Sequence, residues 1–148
     1  MKHGKRWMTV VTIVGGVGLA ACAGKPEAHR SEHPAEVVKL EGSELSRVTL
    51  TARAIERIDL RTDQVREERV AGATSPRRVV PYSALIYDPR GETWVYSSPQ
   101  PRTFVRQRVV VDFIEGAVAV LREGPPAGTV VASVGVAELY GTELGVGH

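Results

Sequence analysis

Side chains able to do acid–base, nucleophilic or metal chemistry are few in this 148-residue chain, which holds one cysteine and four histidines. The carboxylates Asp88, Asp112 and Glu115 fall at predicted turns or strand ends, where acidic side chains are usually just solvated. A general acid–base pair needs a shaped pocket, and the chain has no nucleophile elbow, P-loop or dinucleotide fingerprint. We therefore expect a protein that is not an enzyme and that holds no catalytic cofactor.

The one spacing that suggests a metal is the pair His29 and His33, which lie four residues apart among glutamates. Imidazole and carboxylate groups are ligands for zinc or copper. Without further ligands or a helix to hold the spacing, the pair does not fix a coordination geometry. A solvated linker with two histidines is the simpler interpretation, and a weak metal site is the alternative.

The only cysteine, Cys22, has a defined sequence context. Three basic residues precede an apolar run, Met8–Ala20, which is short for a membrane-spanning helix. The run ends in Leu19-Ala20-Ala21-Cys22, which resembles the lipobox of bacterial lipoproteins. That resemblance implies cleavage after residue 21 and an N-terminal lipid on Cys22. Because no second cysteine exists, a disulfide or thiolate metal cluster is excluded.

Residues 22–36 are polar, contain two prolines and show no periodicity, which predicts a flexible tether between the lipid and the fold. Cleavage of residues 1–21 removes three basic residues, so 16 of the 19 Lys and Arg remain against 17 Asp and Glu. The slightly basic charge of the whole chain therefore belongs to the targeting segment. The charge of the remaining residues does not indicate nucleic acid as a partner.

A β-hairpin is the clearest local prediction. The segments Leu85–Tyr87 and Thr93–Tyr96 flank Asp88-Pro89-Arg90-Gly91, in which Asp, Pro and Gly occupy the turn positions they favour. Alternation is expected to bring Tyr87, Trp94 and Tyr96 within cross-strand reach.

The remaining chain predicts short strands with few helices. Thr51 is expected to cap a helix over Ala52–Ile58, and a last helical turn is expected over Val136–Gly141, followed by a frayed tail. Strands are predicted at 48–50, 59–65, 103–111, 117–121 and 129–133. Residues 37–148 are thus expected to form a single all-β domain, a small barrel or roll of short antiparallel strands with one or two short helices.

The order of several segments resembles the membrane-proximal domain of periplasmic adaptor proteins, the membrane fusion proteins of resistance-nodulation-division (RND) efflux pumps. The matching segments are Val80–Asp88, Thr93–Tyr96, Phe104–Val109, Val130–Gly135 and Ala137–Leu139. A weaker match covers Val48–Val65, where Asp59 stands in place of the usual glycine. The resemblance covers roughly the last half of the chain and implies a β-rich binding domain.

Three parts of a full-length adaptor have no counterpart here. Only eight residues, Ala71 to Arg78, separate Val70 from Val79, too few for a barrel and a lipoyl-like domain. No heptad stretch occurs, so the α-helical hairpin is also missing. The resemblance therefore implies a miniature adaptor-like domain.

These observations predict a lipid-anchored accessory domain that binds an RND-type transporter, of the heavy-metal class or another, or its full-length adaptor. The expected partner-binding residues are Arg90 and Glu92 at the hairpin tip, together with Arg106 and Arg108 on an exposed strand face. The membrane is contacted through the lipid, and self-association is left open. A solvated, aggregation-resistant face is the alternative interpretation of the two strand arginines.

Location and competing functions follow from the same segments. The protein is expected on the periplasmic side of the bacterial envelope, and Ala23 after the acylated cysteine favours the outer membrane over the inner one. The alternatives are a structural envelope lipoprotein with no transport role, or a weak periplasmic metal carrier that uses His29 and His33.

Overall fold

The structure is a computed structural model that describes residues 33–146 of the chain. Its helices and strands follow one another along the chain in this order: β1 (Ala35–Lys39), β2 (Ser46–Leu50), α1 (Ala52–Arg57), β3 (Arg61–Gln64), β4 (Arg66–Glu68), β5 (Arg77–Pro81), a 3-10 turn (Tyr82–Ala84), β6 (Ile86–Tyr87), β7 (Thr93–Gln100), β8 (Thr103–Glu115), β9 (Val118–Glu123), β10 (Val130–Val134) and α2 (Val136–Leu144).

The all-β prediction is confirmed. The strands pair antiparallel in the order β3-β10-β7-β8-β9-β5-β4, and they form a curled half-barrel accompanied by only two short helices. Outside this path, β1 pairs with β2, β2 pairs with β8, and β6 pairs with β7. Neither helix of the described part has the length and apolar character needed to cross a lipid bilayer.

The long strand β8 connects the two parts of the sheet. Its first half pairs with β7 on one side and with β2 on the other, whereas its second half pairs with β9. The register with β9 shifts between Val110 and Val111 and again before Phe113. A β-bulge bends its strand and increases the local twist, so these shifts accompany the curl of the sheet.

The largest apolar cluster lies between the sheet and the two helices. Tyr96 and Phe104 from the sheet pack there with Leu139 of α2, and all three side chains are fully buried. A second cluster includes Val95 and Val131, and a third, smaller one includes Val79 and Val120. Since truncating a buried leucine costs about 2–5 kcal/mol, Leu139 is a main attachment of α2 to the sheet.

The predicted helix α1 is present with its predicted cap. Thr51 has extended backbone angles, and its hydroxyl oxygen accepts a hydrogen bond from the N–H of Ala54 at 3.1 Å. Asp59 follows the helix with a φ of +47°, a left-handed conformation that Asp tolerates better than most side chains. An aspartate at this position is therefore compatible with the turn.

Helix α2 is longer than the sequence predicts. It continues to Leu144 and ends at Gly145, whose φ is +70°, so the predicted fraying from Thr142 is wrong for residues 142–144. Gly135, before the helix, has a φ of +74°, and a Cβ there would lie 3.0 Å from the carbonyl oxygen of Ile58. The positive φ and the close approach to Ile58 both require glycine at position 135.

The predicted hairpin is confirmed, and strands are present at each of the other predicted segments. Tyr87 pairs with Thr93 and Ile86 with Trp94, so Tyr87 lies on the opposite face from Trp94 and Tyr96, and its predicted cross-strand reach to them is wrong. The strands β1, β4 and β5 are not among the predicted ones, and β8 continues four residues beyond its predicted end at residue 111. Strand β1 begins at Ala35, two residues before the predicted start of the domain.

Candidate functional site

The turn of the β6–β7 hairpin is organised by one carboxylate. Asp88 Oδ1 accepts hydrogen bonds from the backbone N–H groups of Arg90 and Glu92, both at 2.9 Å. The other oxygen, Oδ2, accepts one from the indole N–H of Trp94 at 3.2 Å. Desolvation acts to raise the pKa of Asp88, but the hydrogen bonds from Glu92, Trp94 and Arg90 outweigh it, and the pKa lies below its usual value.

Strand pairing places four side chains in a block on one sheet face. Trp94 lies opposite Arg108, and Tyr96 lies opposite Arg106. Because residues two apart on a strand share a face, these aromatic and arginine side chains project to the same side, which α2 partly covers through Tyr140.

Arg106 is held in a buried ion pair. Its Nε lies 3.1 Å from Glu143 Oε2, and its NH2 donates a hydrogen bond to Glu143 Oε1 at 3.3 Å. The Nε–H is not directed along a hydrogen bond, so the 3.1 Å approach is an ionic contact. The side chains are only 11% and 2% exposed, respectively. The predicted exposed position of Arg106 is therefore wrong, because α2 covers this part of the sheet.

Two further groups complete the surroundings of Glu143. The Tyr96 hydroxyl donates a hydrogen bond to Oε2, and the backbone N–H of Ser46 donates one to Oε1 at 3.3 Å. Burial, followed by the hydrogen bond and the negative charge of Glu143, raises the pKa of Tyr96 far above its ordinary value. The tyrosine therefore stays protonated and remains a donor to Glu143.

The Arg106 guanidinium also stacks between two aromatic rings. Its central carbon lies 4.6 Å from the centre of the Trp94 ring and 5.3 Å from that of Tyr140. Such cation–π contacts stabilise by about 0.5–2 kcal/mol, depending on how far the cation is desolvated. Trp94 is consequently fixed twice, by Asp88 at its indole N–H and by Arg106 against its ring.

The other predicted partner-binding residues lie on the hairpin that carries the half-buried Trp94 and on the neighbouring strand β8. Arg108 forms an ion pair with Glu92 at 2.9 Å, and Arg90 is exposed at the tip of the turn. The structure thus brings Glu92 and Arg108 together. We call Arg90, Glu92, Trp94 and Arg108 the hairpin surface. Sequence analysis did not assign Trp94 to the site, although its place opposite Arg108 follows from the register.

The remaining predicted site residues lie apart from the hairpin surface. Cys22 and His29 are outside the described residues. His33 is exposed and stands at the rim of an open groove of about 890 Å³, which β1, α1 and α2 line. Across residues 33–146, no three or more His, Cys, Asp or Glu side chains form a group that could hold a metal ion. The metal-binding prediction for His29 and His33 stays a prediction.

Comparison of the chain with protein-family models, with curated proteins and with solved structures finds no match.

Proposed function

We propose that this protein is a partner-binding domain of the bacterial cell envelope, anchored by a lipid on Cys22, that associates with an RND-type efflux transporter or its full-length adaptor. The observation that carries the proposal is the hairpin surface. Its central tryptophan is half-buried and lies opposite Arg108, which pairs with Glu92, and Arg90 is exposed in the turn of the same hairpin. Tryptophan and arginine dominate the residues that contribute most to protein–protein binding.

Preorganisation supports binding at this surface. A side chain that is immobilised only on association loses about 0.5–1.5 kcal/mol of rotamer freedom. Trp94 is already held by Asp88 and stacked on Arg106 before any partner arrives. Arg106 is accordingly a positioning residue in this proposal, and the exposed Arg90 and Arg108 are the contacts.

The hydrogen bonds and ion pairs of the buried polar groups favour binding over catalysis. Glu143, Arg106 and Tyr96 are directed at one another and lie below the surface. A general acid or base must instead reach a proton of the substrate. The choice of an efflux assembly as the partner depends on the segment order shared with adaptor proteins, and the lipid anchor depends on the lipobox-like residues around Cys22.

The test is co-purification of the full chain, tagged after Gly147, from detergent-solubilised envelopes. We expect an RND-type transporter or an adaptor to be recovered, and the charge reversal Arg90→Glu with Arg108→Glu to reduce recovery at least about tenfold, as for loss of a binding hot spot. Cys22→Ser is expected to reduce recovery by removing the lipid.

The matched control is Arg61→Glu. Arg61 resembles Arg108 because both are exposed, at 68% and 61%, and both form an ion pair with a nearby carboxylate. Equal recovery from the control and the wild type is expected. If the hairpin reversal leaves recovery unchanged, or if neither class of partner is recovered, the proposed function is wrong.

A further inference from the structure

Strand β1 lies at a sheet edge two strands away from β8, the strand that carries Arg108 of the hairpin surface. Among the described residues, β1 pairs only with β2, so its other side has no neighbouring strand. Two consecutive large apolar side chains on β1, Val37 and Val38, are 42% and 45% exposed. Edge strands with exposed apolar side chains are sites of strand addition.

The hydrogen-bond phase of β1 shows which backbone groups face outward. Leu40 N–H donates to the Leu45 carbonyl, and Thr51 N–H donates to the Pro34 carbonyl, both at 3.0 Å. In an antiparallel ladder, hydrogen-bonded and non-hydrogen-bonded pairs alternate, so the even-numbered residues of β1 bond to β2. The N–H and C=O groups of Ala35, Val37 and Lys39 therefore point away from β2.

We propose that β1 pairs antiparallel with β1 of a second copy of this chain, about a twofold axis at Val37. A twofold axis normal to the sheet keeps each side chain on its own face, so only residues of equal parity can face each other. With Val37 opposite Val37 of the second copy, Ala35 faces Lys39 of that copy. All three outward-facing residues of each strand are then used, which gives six backbone hydrogen bonds.

The same register is complementary in charge. Arg47 on β2 lies beside Val38, and the proposed pairing brings Glu36 of the second copy to the other side of Val38. Because neighbouring strands are about 4.8 Å apart, Arg47 and that glutamate are separated by about 10 Å of backbone, which their extended side chains can span. Arg47 and Glu36 are exposed and form no ion pair with other described residues. Symmetry repeats the contact.

The neighbouring register is less favourable. An axis at Val38 would pair Val37 with Lys39 and would leave Ala35 facing Glu41, which lies in the turn after β1. That arrangement uses four backbone hydrogen bonds of β1 instead of six. An interface formed by two five-residue strands buries an area at the small end of the range for specific interfaces. We therefore expect a dimer that dissociates on dilution.

Disulfide trapping in the full chain tests the register. In a Cys22→Ser background, Val37→Cys is expected to give a covalent dimer under mild oxidation, since directly paired Cα atoms about 5.5 Å apart suit a disulfide. A mixture of Glu36→Cys and Val38→Cys is expected to give a heterodimer. Tyr82→Cys is the control, because Tyr82 is similarly exposed and lies outside β1. Trapping of Val37→Cys no faster than the control overturns the proposal, and self-trapping of Val38→Cys in preference to Val37→Cys overturns the register.

Charge reversal is an independent test that leaves the valines in place. Glu36→Arg is expected to weaken the dimer by up to about tenfold in sedimentation equilibrium, because it breaks two exposed ion pairs by symmetry. The charge swap Glu36→Arg with Arg47→Glu is expected to restore it. A chain that stays monomeric at all concentrations, or a swap that weakens the dimer as much as both single changes together, contradicts the proposed pairing. Because the readout is self-association, a failure here is distinct from a failure to recover a transport partner.

Discussion

Replacing Glu143 with glutamine would leave the Arg106 charge buried without its counter-ion. Both side chains are almost fully enclosed, so solvent screening does little to soften the loss. Breaking a buried ion pair by removing one partner destabilises by about 3–5 kcal/mol. Glutamine keeps the shape of the side chain and one acceptor oxygen for Arg106 or Tyr96. We therefore expect the lower end, a loss of about 3 kcal/mol in the free energy of unfolding.

The assay is urea unfolding of the full chain followed by far-UV circular dichroism. With a denaturant slope of about 1–3 kcal/mol per molar for a small protein, the midpoint should fall by roughly 1–3 M. Glu138→Gln is the matched control, because Glu138 is exposed on the same helix, and its effect should stay within about 0.5 kcal/mol. Equal midpoints for the two glutamine variants would show that Glu143 does not stabilise the buried Arg106 charge.

A double substitution separates the ion pair from the packing. Arg106→Met with Glu143→Leu removes both charges together and puts apolar side chains of similar size in their place. Replacing a buried ion pair by apolar side chains is often neutral or stabilising, so the double variant should be more stable than Glu143→Gln. A double variant that is less stable than the single one would show that the packing of these side chains, or the hydrogen bonds that Tyr96 and Ser46 donate to Glu143, set the loss, and not an uncompensated charge.

Three further predictions concern pH and backbone conformation. Because the folded-state pKa of Tyr96 is raised, the stability it gives is complete below the unfolded pKa of about 10 and is lost as the pH rises above it. The free energy of unfolding should therefore fall less steeply with pH in the alkaline range in Tyr96→Phe than in the wild type, and Tyr82→Phe should behave like the wild type. Equal slopes for Tyr96→Phe and the wild type would contradict the raised pKa of Tyr96. The pKa of Asp88 is lowered from 3.8, so its contribution to stability is present above that value and is lost as the pH falls below it. The difference in thermal midpoint between the wild type and Asp88→Asn should therefore shrink between pH 6 and pH 3. A constant difference would contradict a stabilising role of the carboxylate in the turn. Gly135→Ala should destabilise by about 1–3 kcal/mol in urea through strain and a close contact with Ile58, whereas Gly128→Ala, with a positive φ but open space around its Cβ, should lose about 1 kcal/mol; equal losses would remove the contact from the account.

Features set by neighbouring residues could be predicted from the sequence. The Asp88–Gly91 turn and the Thr51 cap depend on interactions within a few positions, and both are present. The all-β fold likewise follows from short alternating segments between turn residues. The offset of Tyr87 was missed because the hairpin register depends on which turn residues join the ladder, and alternation alone leaves that choice open.

The candidate site was only partly predictable because its burial is not local. Alternation correctly places Arg106 and Arg108 on one strand face, but it does not say what covers that face. The cover is α2, whose Glu143 is 37 positions from Arg106 in the chain. Two signals could have extended the helix to include Glu143: its spacing of four from the apolar Leu139, and Gly145 as a helix-ending glycine.

Photo-cross-linking in living cells is the sharpest test of the proposed contact between the hairpin surface and an efflux assembly. A photoreactive amino acid replaces Arg90, which is exposed at the turn and forms no ion pair with another described residue. The same amino acid replaces Arg61 on β3 as the control. We expect an adduct with an RND-type transporter or adaptor at position 90 and none at position 61. No protein adduct at position 90, or the same adducts at both positions, would contradict it.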